Sequence, residues 1–160
     1  MLGANSSQVG GAAYPAYRYW RLQVQTPATS VSVSEWRITE QSFTISSLAG
    51  KTITAITGNF TSFPLANIND GVTEVSNATN IANSGAQVFD IYVDLGAAYA
   101  VTAYKLAPQG DAGVTTYNEP TAFKVYGSAD ASTWDLRATF TGITANYPNW
   151  NAGTYRTFSW

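Results

Sequence analysis

Alternation with a period of two constrains this chain more than any other feature. Within residues 17–25, Trp20, Leu22 and Val24 fall on one face, and Tyr19, Arg21, Gln23 and Gln25 on the other. That is the pattern of a half-buried strand. Residues 31–38 alternate as well, and the link between the two runs (Thr26, Pro27, Ala28, Thr29, Ser30) is turn chemistry, because Pro fixes φ and Thr and Ser bond to the local backbone. The pair reads as a hairpin. Its second arm changes parity: Val31 and Val33 share one face, Trp36 and Ile38 the other. A bulge at Ser34-Glu35 accounts for the slip and would re-aim the Glu35 carboxylate; the alternative is a carboxylate at a strand edge facing water.

The same period recurs down the chain. Phe89, Ile91, Val93 and Leu95 form an inward set, with Asp90, Tyr92 and Asp94 outward and Gly96 ending the strand. Residues 101–107 are a strand stopped by Pro108, residues 122–128 are another, and Leu136, Ala138 and Phe140 alternate on a third. Residues 129–134 form a turn that buries Trp134, and a last strand covers 154–160. Residues 41–57 alternate weakly around a turn at 48–51, and residues 76–87 read as polar loop. About eight or nine short strands without a convincing helix indicate an all-β, antiparallel β-sandwich.

Composition removes several chemistries. The 160 residues suit one domain. There is no cysteine and no histidine, so disulfides, thiolate sites, Ser-His catalysis and histidine-ligated zinc are all excluded. Charged residues make up 11% with a net charge of −2, which offers nucleic acid no concentrated positive surface. No run approaches the ~18 apolar residues of a membrane span, and the N-terminus lacks the basic start and apolar core of a secretory signal. Residues 1–16 read instead as a Gly/Ser/Ala-rich arm ahead of a domain at 17–160. A neighbouring subunit would hold the arm, or it folds back on its own domain. Of the carboxylate pairs, Asp90 with Asp94 looks like an ordinary solvated face and Asp130 with Asp135 belongs to a turn, so no nucleophile–base pair or glycosidase dyad is evident and the chain reads as non-enzymatic.

A family resemblance rests on three runs: Val93-Asp94-Leu95-Gly96, then Val101-Thr102-Ala103-Tyr104-Lys105-Leu106, then Pro120-Thr121-Ala122-Phe123-Lys124-Val125-Tyr126-Gly127-Ser128-Ala129-Asp130-Ala131-Ser132-Thr133-Trp134. Together with the turn at Asp70-Gly71 they resemble the coagulation factor V/VIII type C, or discoidin, family over roughly residues 17–160. The resemblance implies a jelly-roll β-sandwich of the galactose-binding-domain-like kind. In that family the segment like Arg18-Tyr19-Trp20-Arg21-Leu22 comes last; here it comes first, as in a circular permutation, which places the closing strand near the opening one. The arrangement is similar to modules of bacteriophage structural proteins.

The resemblance also implies sites. Residues 67–73 crowd Asn, Asp and Thr oxygens around a tight turn, which a hard cation favours. Carried over position by position, a structural Ca2+ would take the side chains of Glu35, Asp70 and Thr73 and backbone carbonyls near Asn67 and Val72. The family's Thr-x-Trp after the turn is here Glu74-Val75-Ser76, a departure from the pattern. Family ligands bind loops at one end of the sandwich. On those loops Tyr117, Tyr147 and Trp150 would offer aromatic platforms to a sugar, and Asn118, Asn149 and Arg18 polar groups; equally, the aromatics would pack between subunits. With no histidine, galactose specificity does not carry over. The expected function is a virion structural protein, a decoration, cement or tail-associated subunit in an oligomeric assembly on the particle surface. It would dock on other virion proteins through residues 1–16 and display the sandwich. The alternative is a carbohydrate-binding adhesin module for host surface polysaccharide.

Overall fold

The computed structural model describes residues 14–25, 35–43, 48, 50–57, 65–68, 79–82, 89–108, 122–143 and 156–160. Its strands are β1 (Ala16–Gln25), β2 (Glu35–Phe43), β3 (Thr52–Thr57), β4 (Thr79–Ala82), β5 (Phe89–Ala100), β6 (Ala103–Pro108), β7 (Ala122–Ser128), β8 (Asp135–Phe140) and β9 (Arg156–Ser159), with a 3-10 turn at Leu65–Ile68. They form two antiparallel sheets, one in the order β3-β5-β1-β7-β8 and the other β4-β2-β6-β9. The chain is all-β.

The sheets face each other across an aromatic core. Phe123 of β7 meets Tyr104 of β6 at 5.7 Å between ring centroids and Phe158 of β9 at 4.8 Å. Phe140 of β8 lies 5.3 Å from Phe158 and 5.0 Å from Phe123. The inward residues of β1 (Trp20, Leu22, Val24) and β5 (Ile91, Val93, Leu95) are all buried, as their alternation predicts. The closing segment reaches the opening one through this core and not through a ladder: β1 and β9 lie in opposite sheets, and the Trp20 and Trp160 rings are 6.1 Å apart.

Five expectations are corrected. Strands β1 and β2 are not a hairpin: β1 sits between β5 and β7 in one sheet, β2 between β4 and β6 in the other. The intervening residues 26–34 are long enough to span the ~10 Å between packed sheets, so turn-forming residues did not require a tight turn. Gly96 does not end β5. It takes φ +82°, donates its N–H to the Asp94 side chain at 2.8 Å, and the strand continues to Ala100 past a break in the β1 register. Within the expected loop at 76–87 lies β4, four residues paired to β2 and too short to show a period. The ladder of β7 with β8 slips between Val125 and Tyr126, so Ala138 and Phe140 pack against the core while Leu136 turns out to solvent. Trp134 is half-buried and lies on the outer face.

The expected turn at 48–51 is present: Gly50 takes φ +73° and the Lys51 N–H donates to the Leu48 carbonyl at 2.9 Å. The described part of β2 keeps register with β4 from Glu35 to Ile38 and slips against β6 between Ile38 and Glu40; Ser34, half of the expected bulge, lies outside the described residues. So do residues 1–13 of the arm.

Candidate functional site

Of the residues singled out for ligand binding, Arg18 is described, whereas Tyr117, Asn118, Tyr147, Asn149 and Trp150 lie outside the described residues, as do Asp70, Val72 and Thr73 of the calcium set. Arg18 is exposed but engaged. Its Nε and Nη2 each donate to one Asp94 carboxylate oxygen at 2.7 Å, and its guanidinium lies 5.0 Å from the Tyr19 ring centroid. The paired carboxylate raises the Arg18 pKa, and the same bonds hold Asp94 below its ordinary value, with the Gly96 N–H helping. In the calcium set, Glu35 is the first residue of β2 and Asn67 lies in the 3-10 turn, an element that sits beside β2, β3 and β4. Among the described residues no three His, Cys, Asp or Glu side chains cluster as metal ligands.

What the structure builds in detail is the outer face of the five-stranded sheet. The central strand β1 points Tyr19, Arg21 and Gln23 outward. Register then sets Arg21 between Tyr92 of β5 and Tyr126 of β7, and Gln23 between Asp90 and Lys124. Side chains two apart on one strand and opposite on the next share a face. The rest of the layer follows from the turn after β7, which brings Trp134 back over the sheet.

Arg21 is the centre of this layer. Its Nε donates to Asp90 Oδ1 at 3.0 Å and its Nη2 pairs with Oδ2 at 3.0 Å. Gln23 Nε2 also donates to Asp90 Oδ2, at 3.2 Å, and its own carbonyl oxygen accepts from the Tyr126 hydroxyl at 3.2 Å. Asp90 is only 4% exposed, so it is not the solvated carboxylate that its outward position suggests. It is covered because both its neighbours on β1 reach across to it, and a carboxylate out of water is retained only when paired this completely. The guanidinium plane is flanked by rings, 5.0 Å from the Tyr126 centroid and 5.6 Å from that of Trp134. Trp134 in turn lies 5.6 Å from Tyr92, which meets Tyr19 edge-on at 6.1 Å. Tyr19, Tyr92, Tyr126 and Trp134 are all half-buried: fixed by neighbours below, open to solvent above.

The turn that places Trp134 is self-supporting. The Ser128 hydroxyl, in a buried residue, accepts the N–H groups of Asp130 and Ala131, and Asp130 Oδ1 accepts those of Ser132 and Thr133 at 2.9 Å. These donors, Thr133 first, push the Asp130 carboxyl well below the usual carboxylate range. Ala131 takes φ +59°, in the left-handed region. Asp135 accepts the Tyr17 hydroxyl at 2.7 Å, which raises the Tyr17 pKa. The four carboxylates considered for acid–base chemistry (Asp90, Asp94, Asp130 and Asp135) are thus each tied to a cation, a hydroxyl or turn N–H groups.

The arrangement suits recognition of a ligand: rigid ring faces with a negative quadrupole beside a guanidinium whose charge is already balanced. Sequence reading placed Tyr19, Arg21 and Tyr92 outward on their strands but did not bring them together with Tyr126 and Trp134. That needs the strand order, in which β1 separates β5 from β7. Comparison of the chain with protein-family models, curated proteins and solved structures returned no match.

Proposed function

We propose that this chain is a non-enzymatic binding module, a discoidin-like jelly roll carried by a virion structural protein, and that it recognises a surface glycan. The observation that carries the glycan reading is the outer face of the five-stranded sheet, where Tyr19, Tyr92, Tyr126 and Trp134 stand around an Arg21 locked to buried Asp90. Polarised C–H groups on one side of a pyranose suit the negative faces of such rings, and hydroxyls suit the neighbouring Gln23, Lys124 and Arg21. The charges on Arg18 and Arg21 are balanced by Asp94 and Asp90, which favours a neutral sugar over an acidic one. The virion assignment rests on the resemblance of residues 17–160, in their permuted segment order, to modules of bacteriophage structural proteins, with residues 1–16 as the docking arm. A structural Ca2+ held by Glu35, Asp70 and Thr73, with carbonyls near Asn67 and Val72, belongs to the same proposal. The approach of the 3-10 turn to β2 supports it.

A glycan-array screen of the full chain and of Trp134→Ala tests the reading. Binding to neutral glycans that Trp134→Ala lowers at least ~10-fold, with the circular dichroism spectrum unchanged, is the expected result. Binding that the substitution leaves intact moves the site to the loops carrying Tyr117, Tyr147 and Trp150. A blank array favours the architectural role, in which the aromatic face packs on a neighbouring subunit.

A further inference from the structure

On the outer face of the five-stranded sheet, side chains stand in rows that cross the strands, because paired residues of an antiparallel ladder point to the same side. One row runs Thr54 (β3), Tyr92 (β5), Arg21 (β1), Tyr126 (β7) and Leu136 (β8). Trp134 stands at its middle, 5.6 Å from both the Arg21 guanidinium and the Tyr92 ring. The next row, about 7 Å away along the strands, is Asp90, Gln23, Lys124 and Thr139. The first row is flat and carbon-rich; the second offers amide, ammonium and hydroxyl groups. Leu136 is unusual at such a position. It is 53% exposed, more than any other large apolar side chain among the described residues. A slip in the β7–β8 ladder puts it there. From Lys124↔Thr139 to Tyr126↔Leu136, β7 advances two residues and β8 three. A regular ladder would set Arg137 against Tyr126; the bulge sets a leucine there instead and so extends the row with an apolar side chain.

We propose, resting on the glycan reading of this face, that its ligand is the interior of a linear neutral polysaccharide lying across the strands, with Leu136 as the outermost contact. From Tyr92 to Leu136 the row crosses three inter-strand spacings, about 14 Å, which is more than a single pyranose ring covers. A sugar chain is amphipathic along its whole length, with C–H groups on the ring faces and hydroxyls along the edges. The two parallel rows match that pattern. Tyr92, Trp134, Tyr126 and Leu136 receive the C–H faces, while Gln23, Lys124 and Thr139 meet the hydroxyls of one edge. The row is also open at its ends, since Thr54 and Leu136 lie on the two edge strands of the sheet and neither carries a charge. A chain can therefore run on past either edge. A lone terminal sugar would use only the centre of the row, around Arg21 and Trp134, and would leave Leu136 in water.

Isothermal titration calorimetry with neutral linear gluco- and manno-oligosaccharides, graded from the monosaccharide to the hexasaccharide, tests this. Affinity should rise at least ~10-fold from the disaccharide to the tetrasaccharide. Leu136→Ser should remove most of that gain while leaving disaccharide affinity unchanged, and the melting curve should not move, because the side chain it truncates is exposed. Trp134→Ala, at the centre of the row, should weaken binding at every length. An affinity flat with chain length, or a tetrasaccharide bound equally well by Leu136→Ser, overturns the inference and leaves the glycan site standing. If no sugar of any length binds the unmodified chain, the glycan reading falls and this inference with it.

Discussion

The ring of Tyr17 lies against the α-carbon of Gly127, close enough that a β-carbon there would overlap its Cδ2, Cε2 and Cγ atoms. The absence of a side chain at Gly127 is thus what lets the Tyr17 ring pack where it does. Tyr17 uses the space to meet Trp20 edge-on at 5.5 Å, to accept the Trp20 indole N–H at its carbonyl, and to reach Asp135 with its hydroxyl.

Gly127→Ala is accordingly expected to cost about 2–3 kcal/mol, because the ring must leave or the strand must shift. If the ring is the obstacle, Tyr17→Ala combined with Gly127→Ala loses less than the sum of the two single changes. Urea denaturation of the four proteins measures both quantities. Additive losses would mean that Gly127 is required for a reason other than Tyr17.

The Arg21–Asp90 pair yields a second prediction. Arg21→Ala leaves a carboxylate 4% exposed without its main partner, at a cost of about 3 kcal/mol. That corresponds to a fall in Tm of roughly 6–12 °C for a chain of this size. Replacing both members with apolar residues, Arg21→Met with Asp90→Leu, should recover most of the loss, since the penalty resides in the uncompensated charge. A double variant as unstable as the single one would show that the hydrogen bonds, not the charge balance, dominate.

Acid should destabilise the fold through identifiable groups. Asp94 is held below its ordinary pKa first by the Arg18 guanidinium, and Asp130 first by the Thr133 N–H. A carboxyl depressed in the folded state adds stability that is fully present above its unfolded value, near ~3.9, and is lost as pH falls through its folded value. Tm should therefore decline from about pH 5 downward. Asp130→Asn, which keeps an acceptor oxygen but no charge, should show a shallower decline. Parallel curves for the two proteins would remove Asp130 from the acid response.

Chelation tests the calcium set by itself. If Glu35, Asp70 and Thr73 hold the ion, a chelator lowers Tm by several degrees, excess Ca2+ restores it, and Asp70→Ala abolishes the response. A melting curve indifferent to chelator, with no metal found by elemental analysis, would retire the site.

How far the sequence spoke depended on range. Local alternation sufficed for the faces of β1 and β5, because Trp20, Leu22, Val24, Ile91, Val93 and Leu95 obey a period that needs only their own strands. It failed where one strand's position depends on another. Turn residues at 26–30 could not reveal that β1 and β2 join different sheets, and Leu136 changed face because of a slip in its ladder with β7. Asp90 looked solvated because nothing local shows that Arg21 and Gln23, almost seventy residues earlier, close over it. The candidate site was legible only as scattered outward side chains; their convergence is a property of strand order.

That strand order has a kinetic consequence. β1 leaves the ribosome well before its hydrogen-bonding neighbours, β5 at Phe89–Ala100 and β7 at Ala122–Ser128. During synthesis a strand that carries Trp20, Leu22 and Val24 of the core must wait with both its edges unsatisfied until β5 and β7 have emerged. Folding should be slow, because closing such long loops precedes any reward from the ladder. The nascent chain is therefore most vulnerable to misassociation in the interval before β7 is made.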